Sequence, residues 1–169
     1  MKQMEVTKKK IGDNTFYIRP FPAFTAANIS GELSSVMAPI IGGLAGLMDG
    51  RDADELMDMD LTEAVPSITE ALGSIDGDKV EHLMQRLLIT YKNVSVAGVA
   101  TDGENVPLDM DIANEIFCGE IDEMILLCAE VVKVNYGGFF KKVADRSGGL
   151  QELIQKKKTT VSLNGASST

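Results

Sequence analysis

Few side chains in this sequence are of a type and spacing that could do chemistry. There is one histidine, His82, and there are two cysteines, Cys118 and Cys128, beside 25 acidic residues. His82 follows Glu81 on the polar side of a helical pattern, with no second histidine and no nucleophile motif to serve, so it reads as a solvated side chain. The cysteines stand ten positions apart in one helical run. At the helical rise that is about 15 Å, too far for a disulfide within the chain. Both read as small core residues of a protein in a reducing compartment. The acidic run from Asp49 to Glu63 invites comparison with a calcium loop, which needs oxygen ligands at alternate positions, a glycine at the sixth and a glutamate at the twelfth. Counted from Asp49, those places hold Arg51, Asp54 and Asp60, and the match fails. HExxH, CxxC, GxSxG, GxxxxGK[ST] and a GxGxxG after a strand are all absent. The remaining carboxylates lie in polar runs, without the burial and companion group that a general acid or base needs. No catalytic, metal-binding or cofactor-binding residue is assigned. The expectation is a non-enzymatic protein that works through its surfaces.

Charge narrows the partners. A net charge of −9 and a pI near 4.6 argue against nucleic acid and anionic membranes, which attract basic surfaces. With no tryptophan and 5% aromatic residues, a platform for stacking bases is not expected either. Acids crowd residues 49–63, while lysines gather at Lys8–Lys10, Lys141–Lys142 and Lys156–Lys158. An acidic middle between basic ends suits a basic partner or head-to-tail self-association, and the plainer reading of it is a solvated face. The N-terminal stretch MKQMEVTKKKIGDN has no apolar core of the secretory kind, so no leader is expected. The longest apolar run, Val36 to Met48, is too short to span a bilayer. These features predict a soluble, intracellular chain.

Such surfaces must be held by a fold, and periodicity predicts a mainly α one: a helical bundle around a central buried helix over about 112–136. On that helix Glu115, Gly119, Asp122, Glu123, Glu130 and Lys133 fall on one narrow stripe, and the rest of the circumference is apolar. Asp109 or Asp111 can cap its start, and Gly137–Gly138 can end it. Residues 4–20 predict an N-terminal β-hairpin turning at Gly12-Asp13-Asn14, with Lys8–Lys10 guarding its edge. Two strands alone are marginal, so the hairpin must lie on something else. Pro22 can start a helix, Pro39 should kink or split it, and Gly42 with Gly46 would allow close helix contact. Asp60 caps a helical stripe through Val65, Ile68 and Leu72 that ends at Gly73. Asp76 then opens another through Val80, Leu83, Met84, Leu87, Leu88 and Tyr91. Residues 93–108 carry the signal of a second short hairpin around Asp102-Gly103. The organisation expected is a single domain over 1–155 and a flexible C-terminal tail over 156–169, which is polar and short of anchors.

Two runs carry a resemblance. IGDNTFYIRPFPAF is a short hairpin leading into helices, and ANEIFCGEIDEMILLCAEVVKVNYGGFFKKV closes on an asparagine–aromatic–Gly-Gly–Phe-Phe signature. With the acidic stretch between them, this layout over residues 6–145 resembles the tail assembly chaperones of long-tailed, siphovirus-type bacteriophages. Its most specific parts are Ile116 to Phe140 and then Phe16 to Phe24. The resemblance implies a mostly helical protein of the host bacterial cytoplasm, absent from the mature virion. It also implies a protein that binds the tape measure protein, keeps it soluble and recruits tail tube subunits. A frameshifted longer product, common in such systems, would need a slippery adenine run at Lys156–Lys158, and reading those codons tests this. Tyr136, Phe139 and Phe140, flanking the glycine pair, are the candidate partner-binding residues. The alternative function is a structural virion component, a minor tail or connector protein, with the same acidic, enzyme-free profile.

Overall fold

The computed structural model describes residues 5–45 and 60–138. Strands β1 (Thr7–Ile11) and β2 (Asn14–Ile18) pair antiparallel around the two-residue turn Gly12-Asp13. Gly12 has φ +54° at the first central position, where glycine takes a left-handed backbone without a Cβ clash. The second expected hairpin is present as well: β3 (Val94–Ala97) pairs with β4 (Val106–Pro107). β2 also pairs with β3, which makes one antiparallel four-stranded sheet in the order β1-β2-β3-β4. Two hairpins that would each be marginal alone thus support one another.

One face of this sheet is buried. Phe16, Ile18, Val94 and Val96 are fully covered, and Ile11 nearly so. The alternate residues Lys8 and Lys10 are exposed, while Thr15, Tyr17, Ser95 and Ala97 are half-buried. The Lys8 ammonium lies 5.7 Å from the centre of the Tyr17 ring across the pair.

Between β2 and β3 the described chain is helical. Helix α1 (Ala23–Ala45) runs through Pro39 without being split. The Gly42/Gly46 pair straddles the edge of the described residues, as does the acidic stretch, of which only its end from Asp60 is described. Asp60 caps a 3-10 turn, Leu61–Ala64, by accepting from the Thr62 hydroxyl and backbone N–H at 2.8 and 3.1 Å. These bonds, the hydroxyl's first, hold its carboxyl below the usual range. Helix α2 (Val65–Leu72) follows and ends at Gly73, and α3 (Gly77–Gln85) opens under the Asp76 cap. A wider π turn, Arg86–Thr90, finishes α3. Arg86 reaches from it to α1, bonding Asn28 at 2.6 Å and pairing with Glu32 at 2.7 Å. It also donates to the Tyr91 hydroxyl at 2.6 Å. His82 is exposed, 3.6 Å from Glu32.

The predicted central helix is two helices. Helix α4 (Met110–Phe117) starts at Asp109, whose side chain accepts from the Ile112 N–H at 2.9 Å. It stops at Cys118, which is extended, and Gly119 turns the chain at φ +85°. Helix α5 then runs over 121–138. The glycine placed on the polar stripe is the reason: only there can the backbone turn left-handed at little cost. Three further expectations change with it. Cys118 is exposed at the break and not core, whereas Cys128 is buried. Ile121, predicted on the apolar face, is 52% exposed. Glu130, predicted on the polar stripe, is 5% exposed and sits 2.7 Å from the Lys9 ammonium, a close charge pair that is not aligned as a hydrogen bond. Lys9 therefore points inward and holds β1 on α5, while Lys8 and Lys10 are exposed.

The molecule is mostly helical with an N-terminal hairpin, as expected. In place of a bundle around one central helix, however, helices pack on one face of a sheet. Leu127 and Val131 of α5 are fully buried, and Phe117 of α4 stacks on Phe16 at 5.9 Å and 13°. The π-stacked pair and these aliphatic side chains belong to a single apolar core that includes Ile29, Leu33 and Val36 of α1.

Candidate functional site: an apolar groove between helices

Of the residues singled out by sequence as partner-binding, the described ones include Tyr136 alone. Tyr136 is buried at 8% exposure, and its hydroxyl donates to the Ala26 carbonyl at 2.7 Å. Burial pushes its phenol pKa up. Phe139 and Phe140 lie outside the described residues. The neighbouring Asn135 explains the asparagine–aromatic signature in structural terms. Its side-chain oxygen accepts from the Phe21 N–H at 2.6 Å, and its amide donates to the Val131 carbonyl at 2.8 Å. Asn135 and Tyr136 thus fasten the end of α5 to the Phe21–Ala26 stretch that begins α1. The two sequence runs most specific to the resemblance meet at this clamp.

The described residues also form an apolar groove away from this clamp. The end of α2, helix α3, helix α4 and the start of α5 enclose a groove of about 840 Å³. Leu72 and Ile75 contribute from the end of α2 and the turn after it, Val80 and Met84 from α3, Leu88 from the π turn that finishes it, and Ala113 and Phe117 from α4. Met84, Met110 and Met124 supply one methionine from each of three helices. Methionine is unbranched and polarisable, so such a lining can adapt to side chains of different shape. Met110 and Ile121 stand at the mouth, 42% and 52% exposed. Hydrophobic side chains left open in this way mark interaction surfaces when they are contiguous.

The groove's polar lining is slight. Gln85 donates to one oxygen of the exposed Glu81 at 2.9 Å, and Asn114 is exposed. Among the described residues no three His, Cys, Asp or Glu side chains gather as metal ligands would. Nor is any described helix long and apolar enough to cross a membrane. The groove can accept apolar side chains.

Sequence reasoning missed this site, although a signal was present. The apolar face of α3 and the π turn after it is wider than one core contact needs: Leu83 and Leu87 are buried in the core, Val80 and Met84 are half-buried and line the groove, and the buried Leu88 lines it too. The break at Gly119, which opens the groove between α4 and α5, was the missing step.

A family model for phage tail assembly chaperone protein, TAC, matches residues 12–150, the greater part of the chain. No curated protein and no solved structure matches it.

Proposed function

We propose that this chain, which belongs to the phage tail assembly chaperone family, is a non-enzymatic chaperone that binds the tape measure protein, keeps it soluble and recruits tail tube subunits. The observation that carries this reading is the open, methionine-lined groove among α2, α3, α4 and α5. A tape measure chain is long and helical with apolar stretches, and an amphipathic helix laid in a groove is the usual way such a stretch is held. The net charge of −9 supplies the solvation that a coated apolar chain lacks. Many weak contacts along one partner give avidity, yet each can yield to an arriving tube subunit. Self-association between neighbouring copies fits the same coat. The protein then acts in the host cytoplasm and is absent from the finished particle, with no role for nucleic acid, membrane or cofactor.

The experiment is co-expression with the long helical protein encoded just downstream, followed by capture and sizing. A soluble complex with many copies of this chain per partner is the expected result. An insoluble partner, with this chain eluting alone, sinks the reading. Finding the protein in purified particles would favour a structural virion component instead.

A further inference from the structure

We infer that the groove selects one kind of helix: an amphipathic one whose apolar stripe is bordered by lysine or arginine. This rests on reading the groove as the partner-binding surface, and it adds which segments of a long partner are taken.

The apolar lining fixes the stripe. Methionines from three helices meet there, and among the described residues no buried, unpartnered side-chain polar atom belongs to the lining. Charge fixes the border. Glu81 itself lines the groove. Asp111 stands three residues before the lining residue Asn114 on α4, and Asp122 three residues before Ile125 on α5. All three acids are exposed. From Asp109 to Glu123 the chain carries six acidic residues and no Lys, Arg or His. Helix α3 adds Asp78 to Glu81, against Lys79 and a His82 that faces Glu32 on α1. A helix with cationic borders can therefore bury its apolar stripe while its Lys or Arg stems lie along the groove walls and their heads reach the acids. A helix bordered by acids would bring like charges to the same rim.

Two synthetic peptides test this with the full chain. Both are fluorescein-labelled amphipathic helices with the same leucine stripe, one flanked by lysines and one by glutamates, and fluorescence anisotropy gives their affinities. The lysine-flanked peptide is expected to bind about tenfold tighter or more at low salt. That advantage should fade as ionic strength approaches about 0.5 M. The double variant Glu81→Lys with Asp111→Lys, both exposed positions, should reverse the preference. Met110→Gln with Ile121→Gln, also exposed and so tolerated by the fold, should weaken both peptides alike.

Equal binding of the two peptides at low salt, or a preference untouched by charge reversal, overturns the inference. So does affinity indifferent to Met110→Gln with Ile121→Gln, because the peptides would then sit elsewhere. The peptides decide selectivity without the natural partner. Loss of selectivity beside a soluble co-expressed complex removes this inference alone, whereas an insoluble partner removes the chaperone reading.

Discussion

At the scale of single residues, two side chains have surroundings that dictate their behaviour. Burial pushes the Cys128 thiol up to about 12 from an ordinary 9.0, so the folded state keeps this proton where the unfolded chain has lost it. The stability it contributes is whole below pH 9.0 and is lost as the pH climbs toward 12. Unfolding midpoints followed from about pH 8 to about pH 11 should fall more steeply for the native chain than for Cys128→Ala. Under native conditions N-ethylmaleimide should label Cys118 and spare Cys128, and denaturant should expose both; mass spectrometry counts the adducts. Prompt double labelling of the folded chain would contradict the burial of Cys128. Glu130 is the second case. Removing its cation with Lys9→Met strands a buried carboxylate and should cost about 3 kcal/mol in urea unfolding, the low end for such a loss because Lys9 is partly solvated. Changing both partners, Lys9→Met with Glu130→Leu, should restore most of it. A single variant as stable as the parent would mean that the pair is idle.

At the scale of elements, the break between α4 and α5 decides the site. Gly119 turns the chain at φ +85° with open space around its absent Cβ, so only backbone strain opposes a side chain there. Gly119→Ala should destabilise the fold by about 1–2 kcal/mol, seen as a lower urea midpoint with an unchanged slope. A stability equal to or above the parent's would show that the sequence prefers the continuous helix its periodicity suggests. The break also carries consequences outward. It exposes Cys118 and Ile121, and it frees Phe117 to stack on Phe16 while still lining the groove. Arg86 plays the corresponding part on the other side, tying the π turn after α3 to α1 through Asn28 and Glu32. Its hydrogen bond to Tyr91, then that to Glu32, hold the guanidinium firmly charged. A lysine there could satisfy one partner but not this fork.

At the scale of the whole molecule, charge is sorted by surface. The outward sheet face presents Lys8, Lys10 and Tyr17 without an acid among its paired residues, while the groove helices present mostly carboxylates. A chaperone that coats a long chain should bind it in proportion to length. Truncating the co-expressed partner to about half should therefore reduce the copies bound to about half, as sedimentation or light scattering would read. A copy number independent of partner length would point to a cap or connector.

The sequence by itself determined whatever depends on neighbours along the chain. Asp76 and Asp109 announce helix starts because an aspartate accepts the free N–H groups of the first turn, and both cap as expected. Gly12-Asp13 announces its turn through the backbone freedom of glycine. The family, too, was legible, in two runs that meet at Asn135, Tyr136 and Phe21. Tertiary structure alone decided the rest. It joined two distant hairpins into one sheet, drew Glu130 inside because Lys9 arrived from another strand, and cut one apolar run into two helices. It also made a groove from side chains dispersed between Leu72 and Ile125. Periodicity records which face of a helix is apolar, but not whether the core or an open groove receives it. That depends on where the other helices stand, and no local pattern encodes their separation.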